Sequence, residues 1–184
     1  EDLLPVKETC CANPLNHYGV SKLTQTRMAM AWSNQQRKIL VVRPFTILGK
    51  NMPTYLAIGS FIEQIKKIRT KGGKGILQTG NLDVARDFLS VNDVIKIFWK
   101  LINNNKAYGR VINVCEGSST LLSEIVEYSI KQSNCEISLE STIDRQRKND
   151  MNNHFGDNQL LKQLIGNINF TSWQETINTM LESK

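Results

Sequence analysis

The sequence predicts an α/β fold. Along its 184 residues, segments with apolar positions at helical spacing alternate with short β-branched runs, the pattern of strands joined through helices. Lys38-Ile39-Leu40-Val41-Val42 follows a long helix-compatible stretch, and an uninterrupted apolar run of this length reads as a parallel strand buried on both faces. Glycine and proline then gather at Pro44, Gly49 and Pro53. This puts a loop at the strand's carboxyl end, where open α/β sheets bind their ligands.

Residues 1–14 are polar, contain two prolines and read as a loop leading into the first helix. Nothing between residues 15 and 35 breaks a helix. The strand at 38–42 ends at Pro44, which has no N–H for a ladder, and residues 45–55 are expected as loop. A helix follows over about 55–69, with Phe61, Ile62, Ile65 and Ile68 on one side. Lys71-Gly72-Gly73-Lys74-Gly75 closes it as a cap and turn. The run lacks the order of a phosphate-binding P-loop and follows a helix instead of a strand.

Residues 76–78 and 87–91 read as short strands around a polar loop at 79–86. Asn92 or Asp93 is the expected cap of a helix running to about Asn103, whose buried stripe is Val94, Ile97, Phe98 and Leu101. A strand is expected at 111–115 and a turn at 117–119. Ser119 or Thr120 then caps a helix to about Gln132. Residues 137–143 read as a strand, 144–155 as a polar loop or arm, and two short helices at about 158–165 and 172–182 finish the chain.

Composition narrows the function classes. With 40% hydrophobic and 22% charged residues the chain reads as soluble and globular, and no apolar run is long enough to span a bilayer. The net charge is +6, yet the basic residues are spread. The densest groups, Lys66-Lys67-Ile68-Arg69 and Arg145-Gln146-Arg147-Lys148, have no interleaved aromatic platform, which argues against nucleic acid. The surplus is read as solvated helix surface and as pockets for a phosphorylated ligand. Four cysteines without CxxC spacing fit a reduced, cytoplasmic location, and two distant histidines offer no metal site.

The chemistry-bearing stretch is Asn16-His17-Tyr18-Gly19-Val20-Ser21-Lys22. On a helix, residues four apart share a face, so Tyr18 and Lys22 project side by side. An ammonium beside a phenol stabilises the phenolate, and such a tyrosine can exchange a proton with a substrate carbonyl or hydroxyl near neutral pH. Lys22 retains donors for a cofactor ribose. Any amphipathic helix can show this spacing, so the pair takes its meaning from the rest of the chain. None of the eleven glycines forms the GxGxxG turn in which backbone amides meet a dinucleotide pyrophosphate.

Taken in order, several segments resemble the carboxyl-terminal half of an extended short-chain dehydrogenase/reductase of the NAD-dependent epimerase/dehydratase family. They are Tyr18-Gly-Val-Ser-Lys22, Val42-Arg43-Pro44-Phe45-Thr46 with Gly49, the run from Arg86 to Val94, Val111-Ile112-Asn113-Val114-Cys115 with Gly117, and Gly156-Asp157-Asn158. The segment from Gly80 to Phe88 and the Asn113–Gly117 stretch most resemble GDP-4-keto-6-deoxy-mannose reductases and GDP-mannose 4,6-dehydratases. The resemblance implies the carboxyl-terminal part of a Rossmann-like NAD(P)-binding fold plus a small α/β substrate-binding domain. Residues 1–54 would end the Rossmann-like domain with the YxxxK helix. Residues 55–184 would mainly bind the nucleotide sugar, with segments around 86–115 returning to the Rossmann-like core. The amino-terminal dinucleotide half, with its glycine-rich turn and the Ser/Thr partner of the tyrosine, is expected ahead of Glu1, which makes the chain a fragment.

The same resemblance implies roles. Tyr18 would be the catalytic acid and Lys22 would support it while holding the nicotinamide ribose. Pro44, Phe45 and Thr46 would pass beside the cofactor, with Thr46 also facing the substrate. Arg86 and Arg147 would clamp the sugar-nucleotide pyrophosphate, a task suited to a planar bidentate donor. For Arg86 the competing reading is a surface ion pair with Asp83 or Asp87, and for Arg147 a solvated position in a charged arm. Asp93 and Asp157 read as helix caps. Thr46 stands where the family usually has Asn, and Gly49-Lys50 where it has Gly-Pro.

The function expected is NAD(P)H-dependent reduction of a GDP-4-keto-6-deoxy-hexose, in a homodimer when full length, with no nucleic-acid or membrane partner. A 4-epimerase, a 4,6-dehydratase or a catalytically silent binding subunit of the same fold are the alternatives.

Overall fold

The computed structural model describes residues 3–142 and 151–183. The elements run α1 (His17–Trp32), β1 (Val41–Pro44), β2 (Thr46–Leu48), α2 (Ala57–Thr70), β3 (Lys74–Thr79), β4 (Ala85–Arg86), β5 (Phe88–Ser90) and α3 (Val91–Ile102). After a 3-10 turn come β6 (Val111–Val114), β7 (Thr120–Leu121), α4 (Leu122–Ser133), β8 (Glu136–Ser141), β9 (Asn153–His154), α5 (Gln159–Ile165) and α6 (Trp173–Glu182). Strands pair in parallel as β1 with β6, β2 with β5 and β3 with β8. A small sheet, β7-β4-β9, has β4 antiparallel to β7 and parallel to β9.

Two apolar cores organise these pairs. One gathers Ile58, Phe61, Ile62 and Ile65 of α2, Leu77 of β3, Ile125 and Val126 of α4, and Ile177 and Met180 of α6. The other joins Leu89 of β5, the Val94, Ile97 and Leu101 stripe of α3, Ile112 and Val114 of β6, and Leu161 of α5. The helical stripes read from the sequence at α2 and α3 therefore face cores, because i, i+3, i+4 positions line one side of a helix. In contrast, α1 buries no residue and packs along β1.

The expected turn forms over 71–73, while Lys74 and Gly75 already belong to β3. Gly73 N donates to Ile68 O at 3.0 Å, and Gly72 and Gly73 take positive φ, which only glycine adopts without strain. Four expectations are corrected. Residues 45–55 hold β2, because once past Pro44 the backbone finds a second parallel partner in β5. The 144–155 arm contains β9 in its described part, drawn into order by pairing with β4.

Helix α3 begins after Ser90, so Asp93 lies in its first turn and accepts from Thr171 N at 2.6 Å instead of capping. Thr120 and Leu121 form β7, and Leu121, without a side-chain bond, precedes α4. The 1–14 segment also carries a strand-like contact. Val6 bridges Gly156, donating to Phe155 O and accepting from Asp157 N, each at 2.9 Å. Among the described residues no helix is long and apolar enough to cross a membrane.

Candidate active site

The first two turns of α1 present the Tyr18–Lys22 pair. Asn16 caps the helix, its Oδ1 accepting from Gly19 N at 2.8 Å, and a side-chain acceptor at this position satisfies an otherwise orphaned amide. Tyr18 is 72% exposed. Lys22 Nζ sits 5.7 Å from the Tyr18 ring centroid and donates to Gln25 Oε1 at 3.1 Å. An ammonium has three donors, so two protons remain for other acceptors.

The next group forms where the chain changes strand partners. Pro44 closes β1, Phe45 N donates to Val114 O at 3.0 Å, and Thr46 N donates to Asp87 O at 2.9 Å. Consecutive residues thus bond to β6 and then to the β4–β5 segment. The Phe45 ring stacks on His154, with centroids 4.9 Å apart and planes at 23°. Gly156 lets them close up, since a Cβ there would lie 2.6 Å from both Cys115 Sγ and Phe45 Cζ.

Arg86 lies opposite His154 in the parallel β4–β9 register. Its Nη1 donates to Ala85 O at 2.7 Å and to Met151 O at 2.8 Å. Burial lowers the proton affinity of His154, and the Arg86 charge adds to this, so the ring favours its neutral form. Thr46 and Arg86 are thereby brought onto adjoining backbone, while Tyr18 and Lys22 stand on the separate helix that packs along β1. Arg147 lies outside the described residues.

Asp87 is not a surface partner of Arg86. Its side chain is fully buried, accepting from Glu116 N and Gly117 N at 2.9 Å and from Gly156 N at 3.3 Å. Burial pushes its carboxyl above the usual range, and the three amide bonds pull it partly back. The neighbouring Glu116 carboxyl is also raised, first by burial and then by Asp87 and Asp93. Asp157, expected as a helix cap, lies one residue ahead of the cap position, which Asn158 occupies, and its Oδ1 accepts from Gln159 N at 2.8 Å. Asp87 and His154 are the residues that sequence reasoning did not connect to the site. An acid inside the apolar run from Val84 to Val91 was the available signal, because a carboxylate on a buried strand must find donors. His154 carried no comparable one.

The sequence profile of the NAD dependent epimerase/dehydratase family matches residues 1–115. The chain belongs to this family. It is similar to the GDP-6-deoxy-D-mannose reductase of Pseudomonas aeruginosa, 34% identical over 128 residues that make up 69% of this chain and 42% of that protein. It also matches the GDP-6-deoxy-D-talose 4-dehydrogenase of Aggregatibacter actinomycetemcomitans, 30% identical over 186 residues, 97% of this chain and 59% of the relative. Among solved structures, RMD from Pseudomonas aeruginosa complexed with NADPH superposes with a TM-score of 0.90 at 26% identity, covering 98% of this chain and 59% of that one. A UDP-glucose 4-epimerase from Thermotoga maritima, at 19% identity and a TM-score of 0.82, covers 97% and 56% and shares the fold. The fold is the Rossmann-like α/β arrangement of this family, and the chain spans 42% and 59% of the length of the two curated relatives.

Proposed function

We propose that this chain carries the proton-transfer helix and the nucleotide-sugar side of an NAD(P)H-dependent reductase of a GDP-linked 4-keto-6-deoxy-hexose. The observation that carries the reading is the exposed Tyr18 hydroxyl with the Lys22 ammonium against its ring, presented by a capped helix turn. The names of the two curated relatives, a reductase and a 4-dehydrogenase of GDP-6-deoxy sugars, support the choice of C4 chemistry. Proton delivery by a positioned side chain contributes about 10²–10⁴-fold to a rate.

In this mechanism Tyr18 gives its hydroxyl proton to the C4 oxygen of the sugar. Lys22 stabilises the phenolate left behind and offers its remaining protons to ribose hydroxyls. The exposed phenol and adjacent ammonium fit the nicotinamide-ribose end of a dinucleotide, which when bound supplies the hydride. Pro44, Phe45 and Thr46 line the cofactor's nicotinamide end and Thr46 also faces the sugar, its hydroxyl offering one donor where the family's usual amide offers two. Arg86 and Arg147 hold the diphosphate. Residues 1–54, together with the strand and helix segments around 86–115, act as the Rossmann-like part and the remainder mainly as the substrate part. The protein works in the cytoplasm as a homodimer without nucleic-acid partners, using the α1 face on which Met28 and Trp32 are exposed.

The test is Tyr18→Phe in the full-length protein. Turnover should fall by about 10²-fold or more while nucleotide-sugar binding stays nearly intact. Turnover comparable to the parent would remove Tyr18 as the proton donor. The relative named a 4-dehydrogenase favours, as a second reading, the reverse oxidation at C4, in which the 4-hydroxyl becomes a ketone as NAD(P)+ takes the hydride; whether NAD(P)H is consumed with the 4-keto sugar or formed from the 4-hydroxy sugar separates the two.

A further inference from the structure

Asp87 joins four segments that lie far apart in the chain. Its backbone N–H donates to His154 O at 3.1 Å and its carbonyl accepts from Thr46 N at 2.9 Å. Its carboxylate accepts from Glu116 N, Gly117 N and Gly156 N. The β4–β9 ladder is only two residues long, so pairing alone fastens β9 weakly. Beside the Val6 bonds to Phe155 and Asp157, the carboxylate adds anchorage at Gly156, two residues beyond β9, through a charge-assisted bond, a kind stronger than neutral ones. Arg86 completes the connection, because its guanidinium donates to Met151 O just ahead of β9.

We propose that Asp87 is a positioning residue for the diphosphate side of the site, acting through β9 to hold the Arg86 guanidinium at its working depth. The inference rests on the reading of Arg86 as a diphosphate clamp. It goes beyond that reading by assigning the clamp's geometry to a buried carboxylate that touches no ligand. Thr46 hangs from the Asp87 carbonyl, which side-chain substitution leaves in place, so the cofactor side is predicted to be spared.

The experiment titrates GDP and, separately, NADPH by calorimetry into the full-length protein and its Asp87→Asn, Arg86→Ala and Ile177→Ala variants. The asparagine keeps the acceptor for Glu116 N and turns an NH2 toward Gly117 N and Gly156 N. Expected are GDP binding weakened about tenfold in Asp87→Asn, the size of one lost charge-assisted contact, with NADPH affinity within about twofold of the parent. Ile177→Ala, in the other core, should melt earlier yet bind GDP unchanged, which separates positioning from mere destabilisation. Parental GDP affinity in Asp87→Asn beside weakened Arg86→Ala overturns the role of Asp87 and leaves the clamp standing. Parental affinity in Arg86→Ala overturns the clamp itself. Where Asp87→Asn does not fold, Asp87→Ser, smaller and still an acceptor, is judged by the same criterion.

Discussion

Replacing Gly156 by alanine adds one methyl group where the structure has no room for it. The new Cβ would lie 2.6 Å from Cys115 Sγ, 2.6 Å from Phe45 Cζ and 2.7 Å from Phe45 Cε2. Ordinary carbon contacts are about 3.5–4.0 Å, so something must yield by roughly 1 Å. The backbone cannot easily retreat, since Gly156 N is held by Asp87 and its neighbours Phe155 and Asp157 are held by Val6. Cys115 is buried, leaving the Phe45 ring to move and its stack on His154 to open.

Overpacking of this kind costs about 1–3 kcal/mol. At about 2–4 °C per kcal/mol for a protein of this size, the melting temperature should fall by about 2–12 °C. Scanning calorimetry on the full-length protein measures this, with Gly166→Ala as the control. Gly166 has φ of 78° and nothing within 4 Å, so its loss of about 1 kcal/mol comes from the backbone alone. Phe45→Leu combined with Gly156→Ala should recover part of the penalty, because the smaller side chain vacates the clash. A Gly156→Ala protein melting with the parent, or a double variant strictly additive in the two losses, would refute the steric argument.

Asn16→Ala removes the α1 cap bond and should cost about 1 kcal/mol, visible as an earlier melt, together with a lower turnover, because Tyr18 stands in that first turn. His154→Phe keeps a ring against Phe45 and removes a titration. Burial and Arg86 depress the folded value of His154, so its contribution to stability is complete above the ordinary value of 6.5 and is lost as pH falls through the folded value. Asp87 and Glu116 shift oppositely, their contributions being complete below the ordinary values of 3.8 and 4.5 and lost as pH rises. Denaturant titrations should therefore show stability falling less below pH 6.5 in His154→Phe than in the parent, and parallel curves would contradict the assignment.

Much of the architecture is legible in the sequence. The β-branched run near Val41, the stripes of α2 and α3 and the glycine stop at 72–73 are local signals, each decided by residues close in sequence. So was the Tyr18–Lys22 adjacency, because helical spacing alone brings i and i+4 together. Elements made by pairing escaped. Strand β2 exists because β5 lies beside it, β9 because β4 does, and Val6 is extended because Phe155 O and Asp157 N bond to it.

The site divides in the same way. Sequence by itself determined the α/β class and the placing of Tyr18 and Lys22 on one face of a helix, since these follow from spacing. Only the tertiary structure decided that Asp87 is a buried junction instead of a surface charge and that His154 backs Phe45. Both depend on amides and rings contributed from segments 29 to 109 residues away. A linear pattern carries no record of burial or of which distant donors will meet a carboxylate, and those two quantities set its energy.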